Sequence, residues 1–204
     1  MELHNVPYKI AYRAIKYPRL EFKTGELLLI LPFGRKPDIL LEKHKGWILK
    51  KFDFIKGCLE NSRDKELATR TDEEFRELIH SLARKITKNL RVKLNRIYFR
   101  KMRTKWASLS PAKNLTANRL MKYLPEYLIK YVIFHELTHI TEKRHNGKFW
   151  EMISEEYKNY PEMEKGMFTY WFLIQRSLFH VPLVRQVQVA AALGAEHPEE
   201  MLAT

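Results

Sequence analysis

The sequence predicts an α+β fold. Short alternating segments near the amino terminus read as strands, longer segments with a period near 3.6 read as helices, and a second group of strand-like runs lies between two of the helices. With 204 residues, 45% of them hydrophobic and 12% aromatic, the chain can bury a core of ordinary size.

Tyr8 to Pro32 reads as a small β-meander. Tyr8 to Ile15 and Leu20 to Phe22 alternate, and the apolar run Leu27 to Leu31 follows a Thr24-Gly25 turn. From Pro37 the period changes: Leu40, Leu41, His44, Trp47, Ile48, Phe52 and Ile55 fall mostly on one face of a helix that tolerates Gly46. A second helix opens at Thr71-Asp-Glu-Glu74, a capping box, and buries the stripe Phe75, Leu78, Ile79, Leu82, Ile86 and Leu90. Arg96 to Arg100 and Asn114 to Asn118 then read as strands, separated by a turn over Ser108 to Ala112. Pro125 starts a third helix reaching about Ile140, apolar on most of its circumference and therefore expected to be buried on several sides. A fourth follows Asn146-Gly147 with Phe149, Met152, Ile153 and Tyr157 inside, and a fifth spans roughly Met167 to Leu178. No internal repeat is evident. The expected organisation is an amino-terminal meander plus helix over residues 1–60, packed on the rest, a larger domain over 61–178, and a tail over 179–204 that is less basic and rich in Ala, Val and Leu.

The formal net charge of +13 is concentrated. No Asp or Glu occurs between Glu77 and Glu126, while that stretch holds thirteen Lys and Arg; the other 24 basic residues balance the 24 acidic ones. Such a block, here Arg84 to Lys122, is the electrostatic footprint of a chain that approaches nucleic acid, an acidic membrane face or an acidic polypeptide, and equally of a solvated basic surface. The single cysteine, Cys58, excludes an intramolecular disulfide and a cysteine-cluster zinc site, which fits a reducing cytoplasm and leaves His and carboxylates as the ligands for any metal. The most apolar run is far too short to cross a bilayer, so a cytoplasmic protein without a membrane partner is expected.

His135-Glu136-Leu137-Thr138-His139 has the pattern His-Glu-x-x-His. Two histidines four apart lie one above the other on a helix, so both imidazoles reach one metal ion, and Glu136 is placed to deprotonate a water there. Burying two histidines and a glutamate in so apolar a helix would be costly unless something uses them. A catalytic site needs a third ligand and an open position. That ligand is His145, six residues beyond His139, or a carboxylate of the next helix: Glu151, Glu155 or Glu156.

The runs Arg103-Thr-Lys-Trp-Ala-Ser108, Asn118-Arg119-Leu120, Leu124-Pro125, His135 to His139 and Arg144-His145-Asn146-Gly-Lys-Phe-Trp150 together resemble the YgjP-like metallopeptidases, relatives of the WLM and SprT-type proteases. The likeness runs from about Tyr8 to Leu173 and departs at Ala107 and Leu109, where the family usually carries Gly and Cys. It implies a zincin-like metallopeptidase fold in which His135, His139 and His145 bind one zinc ion per chain and Glu136 is the general base. The expected reaction is hydrolysis of a polypeptide by a zinc-activated water, with Glu136 passing the proton to the leaving amine. Arg103, Asn118 and Tyr123 are candidate donors to the oxyanion, each more commonly a surface or packing residue, and Trp106, Phe149 and Trp150 are candidate cleft residues, aromatics that more often serve the core. The competing readings are a nucleic-acid-binding protein whose histidine site secures the fold, and a protease acting on nucleic-acid-associated proteins. Glu136 favours an enzyme, because a structural site has no use for a carboxylate beside an open position.

Overall fold

The computed structural model describes residues 6–23 and 26–179; the Thr24-Gly25 turn and the tail beyond residue 179 expected from sequence lie outside them. The class is α+β, as expected. Three strands, β1 (Tyr8–Arg13), β2 (Arg19–Lys23) and β3 (Glu26–Pro32), form one sheet, and β4 (Ile97–Arg100), β5 (Ala107–Leu109) and β6 (Leu115–Asn118) form another. The helices are α1 (Asp38–Lys43), α2 (Lys45–Asn61), α3 (Asp72–Leu90), α4 (Glu126–Thr138), α5 (Gly147–Glu156) and α6 (Tyr160–Phe179), with a 3-10 turn at Arg119–Tyr123.

The first sheet is not a meander. Its order is β1-β3-β2, with β1 parallel and β2 antiparallel to β3. Composition explains the order. β3 carries Leu27, Leu29, Ile30 and Leu31, all buried, and suits a centre bonded on both edges, whereas β1 carries Lys9 and Arg13 on exposed positions and suits an edge. The helix expected from Pro37 is two: the chain breaks at His44, which leaves helical geometry at φ −109°, ψ 12° as its N–H bonds back to the Leu40 carbonyl. Leu41, Ile48, Ile55 and Cys58 are the buried residues of this pair.

The second sheet has order β4-β6-β5, again with its first strand parallel and its second antiparallel to the third. Ser108 and Leu109, expected in a turn, belong to β5; the turn follows them, with the Lys113 N–H on the Ser110 carbonyl and the Asn114 N–H on Ser110 Oγ. The capping box is present: Thr71 Oγ1 accepts from the Glu74 N–H and Glu74 Oε2 from the Thr71 N–H. Phe75, Ile79, Leu82, Ala83 and Ile86 form the buried face of α3, and Arg91 closes the helix in left-handed geometry at φ 54°. Pro125 caps α4, which is buried through Leu128, Ile129, Tyr131, Val132, Ile133, Phe134, Leu137 and Thr138. This helix packs on α3, α5 and β5. It ends at Thr138, short of the expected Ile140, and α6 starts at Tyr160 rather than near Met167.

The described chain divides into two compact units, residues 6–65 with 171–179 and residues 66–170. The last turns of α6 thus group with the amino-terminal elements rather than with the domain expected over 61–178, burying Trp171, Phe172 and Ile174 and placing Arg176 Nη2 3.0 Å from the Ser62 carbonyl. Among the described residues no helix is long and apolar enough to cross a membrane.

Candidate metal centre

All the chemistry-bearing residues named from sequence lie in the unit of residues 66–170. His135 and Glu136 occupy the last turn of α4, and His139 is its C-cap. The helix stops through a local rearrangement of bonds. Thr138 Oγ1 donates back to the Phe134 carbonyl, while the Thr141 and Glu142 N–H groups both turn onto the Thr138 carbonyl. Glu142 then organises the return of the chain: its carbonyl lies 3.1 Å from His139 Nδ1 and its Oε1 accepts from the Arg144 N–H. Donation from Nδ1 to that carbonyl fixes the His139 tautomer with Nε2 unprotonated, the form a metal requires. Asn146 Oδ1 caps α5 by accepting from the Phe149 N–H, so His145 is held between this turn and a capped helix.

The three histidines converge. His135 Nε2 and His145 Nε2 are 3.0 Å apart, and each of His135, His139 and His145 offers a ligand atom within 4.8 Å of the others. Two nitrogens bound to one zinc at 2.0–2.1 Å in tetrahedral geometry are separated by about 3.4 Å, so the cluster fits the ion with small side-chain adjustments. The carboxylates considered as rivals are not in the cluster, and Glu156 is bonded to Lys130 Nζ at 3.0 Å. Phe149, fully buried, supports all three imidazoles with ring centroids 4.9, 4.7 and 4.5 Å from those of His135, His139 and His145. Trp150 stacks on His145 on one side and on Tyr160 on the other.

A further pair of residues was not read from sequence. Glu164, from the first half of α6, places Oε1 3.9 Å from His135 Nδ1 and accepts a short hydrogen bond from the Tyr131 hydroxyl. Burial pushes the Glu164 carboxyl up to about 7, and the Tyr131 bond pulls it the other way. A carboxylate on the far ring nitrogen is the usual partner of a metal-bound histidine, directing Nε2 at the metal. Tyr131 lies one turn before His135, a spacing visible in sequence. Nothing in the motif points to Glu164, 25 residues after His139.

The other residues named from sequence are placed elsewhere. Arg103 is exposed on the loop after β4. Tyr123 is half-buried at the end of the 3-10 turn, with Lys122 Nζ 5.2 Å from its ring centre. Trp106 is buried, as the core reading had it. Asn118 requires a correction: it is fully buried, and its amide is committed to backbone. Oδ1 accepts from the Met102 and Leu120 N–H groups, and Nδ2 donates to the Met102 and Lys105 carbonyls. Its physical task is to clamp the 102–105 loop to β6, and a group so satisfied has no donor left for an oxyanion.

Two solved structures are similar to parts of the chain. They are the metallopeptidase zymogens abylysin of Pyrococcus abyssi, at 19% identity and a TM-score of 0.42, and jannalysin of Methanocaldococcus jannaschii, at 27% identity and a TM-score of 0.42. Each covers 45% of this chain, and 93% and 95% of the respective structures is matched. No curated protein matches the chain significantly. Residues 15–169, which include every element from β2 through α5 and all three histidines, match the family described as YgjP-like, metallopeptidase domain, and the chain belongs to that family.

Proposed function

We propose that this metallopeptidase is a zinc-dependent, zincin-like enzyme in which His135, His139 and His145 hold one zinc ion and Glu136 is the general base. The observation that carries the reading is the convergence of three histidine nitrogens at the end of the helix that also bears Glu136. When bound, zinc would supply Lewis acidity to the scissile carbonyl and lower the pKa of a bound water to about 7. The remaining work falls to the chain. Glu136, half-buried beside His135, accepts the proton of the attacking water and delivers it to the leaving amine. The Glu142 carbonyl holds the His139 ring by its Nδ1, and Glu164 Oε1, 3.9 Å from His135 Nδ1, is placed to accept from that ring once the side chains adjust to the ion. Among the described strands β5 is bonded to β6 alone, and it packs on α4, so its other edge would offer main-chain groups to an extended polypeptide beside the helix of His135 and His139. Trp150 walls the His145 side and is the best placed of the substrate-contacting candidates, with Arg103 and Tyr123 further along the chain.

Glu136→Gln tests the assignment. It keeps shape and leaves the three ligands alone, so zinc content and melting temperature are expected to stay as in the wild type while cleavage of an unfolded protein falls at least about a hundredfold. Undiminished cleavage by this variant would remove Glu136 from the reaction.

A further inference from the structure

The excess of positive charge has a structural focus. In β4, Phe99 points to the helical side, where it meets Phe75 edge-on at 5.7 Å and lies under the Arg76 guanidinium at 4.7 Å. Strand alternation puts Tyr98 and Arg100 on the opposite face, and Arg96, whose carbonyl already accepts from the Leu115 N–H, continues the series. Register extends this outer face across the sheet: Tyr98 is level with Thr116, Thr116 with Ser108, and Arg100 with Asn118. Tyr98, Thr116 and Ser108 are half-buried, and Arg96 and Arg100 are exposed. The Arg100 guanidinium lies 5.7 Å from the centre of the Tyr98 ring.

Asn118 then adds a rim. Its side chain shares this outer face and bonds to Met102 and Lys105, so the loop it clamps crosses the end of the face. Met102 is half-buried while Lys101, Arg103 and Lys105 are exposed. The result is a polar floor with one aromatic ring, two arginines along the edge strand and three basic side chains on a loop held by a fully buried amide. The chain between Glu77 and Glu126 contains no acidic residue.

We infer that the outer face of the second sheet, centred on Arg96, Tyr98 and Arg100, binds single-stranded nucleic acid. Phosphates are neutralised by the arginines and the 101–105 loop, a base stacks on Tyr98, and Ser108 and Thr116 offer hydroxyls to sugar or base edges. An acidic polypeptide would satisfy the charges alone. It has no use for a flat ring set between two arginines on a face otherwise made of hydroxyls, and this favours a nucleic acid. The face is opposite the side on which Phe99 meets α3, so binding there does not require the histidine cluster.

The experiment uses the full zinc-loaded chain and a fluorescent oligothymidylate of about 20 nucleotides, followed by anisotropy, with poly-glutamate of similar charge as competitor. With about five phosphate contacts, affinity is expected to fall roughly a hundredfold between 50 and 200 mM salt. Arg96→Glu with Arg100→Glu is expected to weaken binding at least tenfold and to flatten the salt dependence. Tyr98→Ala is expected to weaken it about 5- to 150-fold, the range of one lost stacking contact, while Tyr98→Phe retains it. Circular dichroism and hydrolysis of a small peptide check that each variant is folded. Reversal of Arg84 and Lys88, exposed on α3, is the control and should have the smaller effect. The inference is overturned by any of four results: no binding at 50 mM salt, equal loss in the α3 control, equal loss in Tyr98→Phe and Tyr98→Ala, or displacement by poly-glutamate as effective as by unlabelled oligonucleotide. The last would assign the face to an acidic polypeptide.

Discussion

The sheets β1-β3-β2 and β4-β6-β5 are built to one plan. In each, the first strand runs parallel to the third, the second runs antiparallel to it, and the third, lying in the middle, is the one with the most buried side chains among the described residues. After the first sheet come α1 and α2, a broken helical pair whose buried residues are Leu41, Ile48, Ile55 and Cys58, with a lone His44 at the break. After the second comes the 3-10 turn and then α4, buried almost all round and yet carrying His135, Glu136 and, at its end, His139. The shared connectivity therefore does not by itself produce the histidine cluster. The histidine cluster lies on one helix and on the six residues that bring the chain back to it, an instance of a site grafted onto a generic scaffold.

The sharpest way to test this contrast is to remove the ligands. His135→Ala or His139→Ala should abolish both stoichiometric zinc, measured by elemental analysis of purified protein, and peptidase activity. Metal retained by both variants would mean that the cluster is not the site. His145→Ala should weaken zinc more than substitution of Glu151, Glu155 or Glu156, and the reverse ranking would move the third ligand to α5.

A smaller effect is expected one step out from the metal. Glu164→Gln keeps an acceptor for the Tyr131 hydroxyl but removes the carboxylate that faces His135 Nδ1. Competition with a chelator should show zinc affinity lowered about ten- to a hundredfold, the usual cost of losing such a partner. Unchanged affinity would reduce Glu164 to a packing residue.

The first sheet should show the least effect on the metal. Leu29, fully buried in the central strand β3, is a fair probe of that unit's core. Leu29→Ala should cost about 2–5 kcal/mol in denaturant unfolding. The folded protein should still bind zinc with wild-type stoichiometry, and loss of zinc from folded Leu29→Ala protein would show that the first sheet does more than support its own unit.

Local physics made part of this molecule legible in advance. The capping box at Thr71, the apolar helix after Pro125 and the His-Glu-x-x-His spacing are set by residues within a few positions of one another, and each is present. The strand segments were legible for the same reason, but their order was not. A meander and the observed β1-β3-β2 arrangement use the same alternating residues, and the choice depends on which strand's two edges are both covered. β5 escaped because three residues next to a Pro-containing turn give too short an alternation to register.

The sequence by itself determined the helix that carries His135 and His139, the place of Glu136 beside them and the location of the charge excess, since periodicity, side-chain type and counting suffice for these. Only the tertiary structure chose His145 for the cluster over the carboxylates of α5, through a return of chain held by the Glu142 carbonyl and the Asn146 cap. It also brought Glu164 to His135 and turned Asn118 from a candidate donor into the clamp of a basic loop. These outcomes rest on contacts between residues far apart in the chain. Their energies depend on burial and mutual geometry, and neither is written in any short run of residues.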